Sequence, residues 1–163
     1  MTKDVLRIDG EVENPLSLSF ADLEALGGAF QVRDVSRIDP KRKGDAVSLA
    51  GLLELAQPKS TVKYLTLHSS TDDFHASIPL QAIRQRAILI YRLEGQPLPP
   101  SAGGPVRFFI PDFAACHTDE VDECANVKFV DRIELTAKRG FDNRPHDEKE
   151  HAELHQREAG PSQ

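Results

Sequence analysis

Hydrophobic and polar positions set out a series of short elements along the first 141 residues. VLRIDGEV (5–12) alternates as a strand that ends near a turn. In NPLSLSFADLEALGG (14–28), Ser19 is placed to cap a short helix, with Asp22 as its reciprocal partner three residues on. Phe20, Leu23 and Leu26 then share a face, and Gly27–Gly28 stop it. FQVRDV (30–35) alternates as a second strand. SRIDPKRKGDAV (36–47) reads as a loop, and SLAGLLELAQP (48–58) as a helix capped by Ser48, with Leu49, Leu52, Leu53 and Ala56 inward.

The middle of the chain favours strands. VKYLTLHSS (62–70) and FHASIPL (74–80) form two strands around a short turn. Pro79 suits the first turn of a helix reaching about residue 86. AILIYRL (87–93) is apolar almost throughout, the mark of a central strand. After the proline- and glycine-rich EGQPLPPSAGGP, the segments VRFFIP (106–111) and VKFVDRIELT (127–136) are two more strands. The order of elements gives an α+β domain over residues 1–141. From residue 142 apolar residues nearly vanish, so 142–163 reads as a solvated, disordered tail.

Composition narrows the class. At 163 residues, 39% hydrophobic and 28% charged, the chain suits one soluble domain with a real core. A net charge of −6 argues against a general nucleic-acid binder. No apolar run approaches the roughly 18 residues of a membrane span. The N-terminus lacks the apolar core of a signal peptide, so a cytoplasmic protein with reduced cysteines is expected.

Three stretches carry candidate chemistry. In AGGPVR, Gly103 and Gly104 either let a ligand approach backbone N–H groups beside Arg107, which suits a phosphate, or only shape a tight entry into a strand. The cluster Arg37, Lys41, Arg42 and Lys43 is either a solvated loop or a funnel for an anion. CHTDEVDEC (116–124) offers Cys116, His117 and Cys124 as three zinc ligands, although the cysteines stand further apart than in common structural zinc sites. A disulfide, a polar loop with idle thiols, and a loop folded inward so that one thiol reaches a neighbouring pocket are the other readings.

The pieces GEVENPLSLSFADLEAL, VSLAGLLELA, YLTLHSSTDDFHASIPLQAI, LEGQPLPPSAGGPVRFFIP and VKFVDRIELT, in this order, resemble the molybdopterin-binding domain of sulfite-oxidase-type oxidoreductases. The resemblance implies a mixed-sheet, barrel-like core with short helices and a site for molybdopterin carrying molybdenum. It implies oxygen-atom or electron transfer at the metal, with any electron partner a separate protein. It places Arg107, Lys128 and the Gly103–Gly104 backbone at the pterin phosphate, and Ser70, Asp73, His68 and His75 at the pocket rim. The histidines would serve there as proton carriers or ligands, or only as structural residues. The family's redox-active members hold molybdenum through a cysteine thiolate, and Asp34 stands at that position, as a replacement ligand, a polar group lining the pocket or an ordinary exposed strand residue. A hard carboxylate cannot reproduce a soft thiolate. A molybdenum oxidoreductase, a silent binding module on the same scaffold and a metal-binding protein using the cysteine loop are therefore all open on sequence.

Overall fold

The computed structural model describes residues 3–111, 121 and 125–144. The chain runs β1 (Asp4–Gly10), β2 (Leu16–Ser19), α1 (Phe20–Glu24), β3 (Gln31–Val32), β4 (Asp45–Ser48), α2 (Leu49–Ala56), β5 (Tyr64–Ser69), β6 (Phe74–Pro79), α3 (Leu80–Ile83), β7 (Ile88–Leu93), β8 (Gln96–Pro97), β9 (Arg107–Phe109) and β10 (Arg132–Thr136). The first sheet has the order β2-β1-β10-β5-β6. Within it β1 and β10 are parallel and the other neighbours antiparallel. The second sheet is β3-β4-β7-β8, with β9 also on β7. This is the α+β architecture expected, with short helices between strands along the chain.

The helices start where their caps dictate. Ser19 Oγ accepts from the Asp22 amide at 3.1 Å while Asp22 Oδ2 accepts from the Ser19 amide at 2.9 Å, a reciprocal capping box. Ser48 Oγ accepts from the Gly51 amide at 3.0 Å and starts α2, which buries Leu49, Leu52, Leu53 and Ala56 as its spacing requires. Pro79 takes the N-cap position of α3 rather than its first turn, and that helix ends at Ile83.

Strand β7 uses both faces. Leu89 and Tyr91 point into the main core, with Leu65, Leu67, Ile133 and Leu135 from the first sheet. Ile88 and Ile90 point the other way, into a smaller cluster with Val35, Ala46, Leu98 and Phe109. That smaller cluster is the floor on which the basic loop sits. Three segments differ from expectation. The end of the basic loop pairs as β4, which its two apolar residues Ala46 and Val47 are too few to announce. FQVRDV is strand only at Gln31–Val32, because Asp34 takes a left-handed conformation at φ 59° and opens a 3-10 turn over Val35–Arg37. In VKFVDRIELT only the second half is β10. The first half stitches the sheets together instead: Phe129 N–H donates to Gly103 O at 2.8 Å, and Asp131 N–H to His68 O at 3.0 Å.

The first residues of the expected tail are docked. Asp142 Oδ2 accepts from the Ser77 amide at 2.9 Å, Arg144 donates to Ser77 O at 3.1 Å, and Arg144 is 4% exposed. Counting apolar residues overlooks such a segment, since its contacts are made by polar groups. Residues 145–163 lie outside the described residues. Among the described residues no helix is long and apolar enough to cross a membrane.

Candidate functional site

A pocket of about 230 Å³ opens between the basic loop and the second sheet. Lys41, Arg42, Lys43 and Arg107 give it a cationic wall, and Ile90, Leu93, Leu98 and Ala102 an apolar one. The loop is shaped by Asp39, whose Oδ1 accepts from the Lys41 amide at 2.9 Å, and its base is closed by the Val35 amide donating to Gly44 O at 2.7 Å. Arg42 is the inward-turning member. Its guanidinium lies 4.9 Å from the centre of the Phe109 ring, a cation–π seat.

Arg107, on β9, donates from Nη1 to Ala102 O at 3.3 Å. Its Nε and the Nε of Arg42 are both buried without a hydrogen-bond partner. Burial first, and then the positive charge of Arg42, pull the Arg107 guanidinium down to about 10, so it stays charged at neutral pH. Two like charges held together with orphaned donors are costly unless an anion completes them. A phosphate supplies the missing charge and acceptor oxygens at once.

The two glycines divide their roles. Gly103 has φ +97°, a left-handed conformation that suits glycine, and a Cβ there would stand 3.0 Å from Arg107 Cδ and 3.3 Å from Lys128 Cγ. It thus lets the stems of both cations pass beside it. Gly104 is a packing residue: a Cβ would fall 1.8 Å from Leu98 O, within its own chain. Lys128 is exposed on the stitching segment beside Gly103.

Asp34 sits at the base of the basic loop rather than on a strand. Its amide donates to Asp45 Oδ1 at 2.8 Å, its Oδ1 accepts from Ser36 Oγ, and Arg37 Nε stands 3.6 Å from its Oδ2. The carboxylate is half exposed and already engaged. Ser70 and Asp73 lie in the β5–β6 turn, outside the pocket lining, with the Ser70 amide donating to Asp131 Oδ2 at 3.2 Å.

His68 and His75 also lie away from the pocket. They face each other across β5 and β6 on the polar side of the first sheet, opposite the core. Strand pairing aligns Arg7, Arg132, His68 and His75 in one row, and Asp9, Glu134, Thr66 and Ser77 in the next. Arg132 Nε donates to Asp9 Oδ1 at 2.9 Å, and Thr66 Oγ1 to Ser77 Oγ at 3.0 Å. Sequence reading named the histidines and Asp73, the partner of His75, but missed Glu134, the partner of His68. The signal was there in the alternating polar positions of RIDG, TLHS, HASIP and RIELT.

Cys116, His117 and Cys124 lie outside the described residues. Among the described residues no group of three or more histidine, cysteine, aspartate or glutamate side chains is placed to hold a metal ion.

Comparison with known proteins bears on the family and the fold. The chain is similar to the uncharacterized oxidoreductase YuiH of Bacillus subtilis (strain 168), 30% identical over 118 residues, which cover 68% of this chain and 58% of that protein. In fold it is similar to the sulfane dehydrogenase SoxCD of Paracoccus pantotrophus, with a TM-score of 0.58 and 21% identity over 82% of this chain and 38% of that one. The chain thus spans less than two thirds of the length of either. The family model described as "Oxidoreductase molybdopterin binding domain" matches residues 44–143. That match starts just after Lys43 and runs past the docked Asp142, and by it this chain belongs to the oxidoreductase molybdopterin-binding domain family.

Proposed function

We propose that this domain binds molybdopterin, or a related pterin phosphate, through its phosphate, held between Arg107 and the 41–43 loop with Lys128 at the margin. One observation carries the reading: two guanidinium Nε atoms without partners are buried on the walls of one pocket. Arg107 and Arg42 would grip the phosphate, and the apolar wall of Ile90, Leu93 and Leu98 would exclude water from that contact.

Among the described residues, the side chains fit the cofactor at this end and not at the metal end. Asp34, at the position of the family's cysteine, offers hard oxygens already engaged by Ser36 and Arg37. When bound, the molybdenum group supplies oxygen-atom or electron-transfer chemistry. The side chains described here supply binding and orientation and no thiolate, so the reading favoured is a pterin-binding module whose affinity outlasts its turnover.

The test is equilibrium binding of molybdopterin to the protein and to its Arg107→Ala and Arg42→Ala variants, with circular dichroism as the control for folding. Each variant is expected to bind at least about tenfold more weakly, the worth of a lost charge-assisted hydrogen bond. Absence of binding by the folded protein, or full affinity in both variants, refutes the proposal. Sulfite oxidation at an enzymatic rate by the cofactor-loaded protein would overturn the assignment of binding without turnover.

A further inference from the structure

The polar side of the first sheet holds a linear chain of four side chains. Glu134 Oε1 is 3.0 Å from His68 Nε2, His68 Nδ1 is 2.8 Å from His75 Nδ1, and His75 Nε2 is 3.0 Å from Asp73 Oδ1. Each of these three contacts is of hydrogen-bond length, and each needs one proton. Both carboxylates are acceptors when ionised, so the two outer protons must sit on the imidazole Nε2 atoms. The central contact needs a third proton, shared by two Nδ1 atoms. Two neutral imidazoles carry only two protons. One contact would then set lone pair against lone pair, or lone pair against carboxylate. Two fully protonated imidazoles carry four, and would drive two N–H groups into each other at 2.8 Å. The geometry is satisfied by three protons on four ring nitrogens.

We propose that His68 and His75 together form a proton-binding site that takes up one proton beyond neutrality, and that this shared proton fastens residues 139–144 onto β6. The charges around it suit a single added positive charge. Glu134 and Asp73 face it from either end, Arg132 stands 3.6 Å from Glu134 with Asp9 behind it, and Asp72 adjoins Asp73 in the turn. On the docked segment Asp142 is balanced by Arg139 and Arg144.

The same residues hold the C-terminal segment. His75 N–H donates to Asn143 Oδ1 at 2.8 Å, the Asn143 amide donates to His75 O at 3.0 Å, and Asn143 Nδ2 donates to Asp73 O at 2.8 Å. The Phe141 ring stands edge-on to His75 with centres 4.8 Å apart. When the shared proton leaves, one end of the chain must give way. Glu134 is tied by Arg132, whereas the Asp73 side chain is 92% exposed on a turn and is the end that yields. Asp73 also presents the carbonyl that Asn143 grips, so loss of the proton loosens the segment.

The test uses the full chain labelled with ¹⁵N at histidine and at the backbone. Across pH 5 to 9 the rings of His68 and His75, assigned with His68→Gln and His75→Gln, are expected to titrate together as one transition worth one proton. Hydrogen-exchange protection of the Ser77 amide, which bonds to Asp142, is expected to fall by about tenfold as pH rises through that transition, as for one lost hydrogen bond to a charged group. In His75→Gln the segment keeps its Asn143 contacts to the backbone and the pH step is expected to vanish. Separate titrations in which each ring gains a whole proton overturn the shared site. Flat Ser77 protection through a shared transition, or an unchanged step in His75→Gln, overturns the link to the segment.

Discussion

The pocket and the polar face of the first sheet treat charge in opposite ways. Around the pocket, Lys41, Arg42, Lys43 and Arg107 gather with no acid among the described lining residues, and two of their nitrogens lack partners. On the sheet, Arg132 meets Asp9 and Glu134, and Arg144 meets Asp142. The arginines of the sheet face have closed their own balance and gain stability from it. The pocket has left its balance open, and an open balance of positive charge in a half-buried cleft fits a ligand that brings the negative half.

This contrast breaks first at Asp142. Asp142→Asn takes the carboxylate from a nearly buried Arg144 and is expected to cost about 3 kcal/mol in chemical denaturation, as breaking a buried pair does. A variant as stable as the parent would remove the sheet-side half of the comparison. Acid should do the same work reversibly. Burial pushes the Asp142 carboxyl up, but hydrogen bonds from Arg144 and from the Ser77 amide outweigh it and hold it at about 2, below its ordinary 3.8. A depressed carboxyl stabilises the fold above its unfolded value, and that stability drains as pH falls from about 4 toward 2. Stability measured over that range should show the loss in the parent and not in Asp142→Asn.

In the pocket the same kind of deletion should act on binding alone. Arg42→Met and Arg107→Met keep the apolar stems and remove the charges. Each should weaken pterin binding by about 1.4 kcal/mol or more while leaving the unfolding midpoint unchanged or higher. A drop in stability like that of Asp142→Asn would mean that these arginines hold the fold rather than a ligand. The smallest effect belongs to Asp34→Ala. Its carboxylate is 54% exposed and bonds only locally, so stability should change by less than about 1 kcal/mol and pterin affinity by less than about twofold. A larger change in affinity would bring Asp34 back into the site.

Legibility in the sequence follows the physics of each part. The two helix caps at Ser19 and Ser48 are local chemistry, written within four residues, and both are found. Strand β7 is apolar on both sides because both of its faces are covered, and that too is visible. Asp34 was misplaced because Val32 and Val35 suggest continued extension, while the left-handed turn between them depends on the Asp45 side chain eleven residues away. Of the four cations in the loop, which one turns inward is set by Phe109, far along the chain. Arg37 is 83% exposed and turns out to Asp34 instead. The docked residues 142–144 were hidden for a similar reason: their partner, Ser77, lies 65 residues earlier.

The seat of that segment bears on how copies of the protein treat one another. β6 is the last strand of its sheet, and the outer amides of such a strand are a template on which another chain can pair. Here the amides of His75 and Ser77 are taken by the side chains of Asn143 and Asp142, which cannot themselves continue a sheet. Asp142 and Asn143 thus serve as a guard against edge-to-edge self-association, and a molecule in which they come away from β6 exposes a ready site for growth.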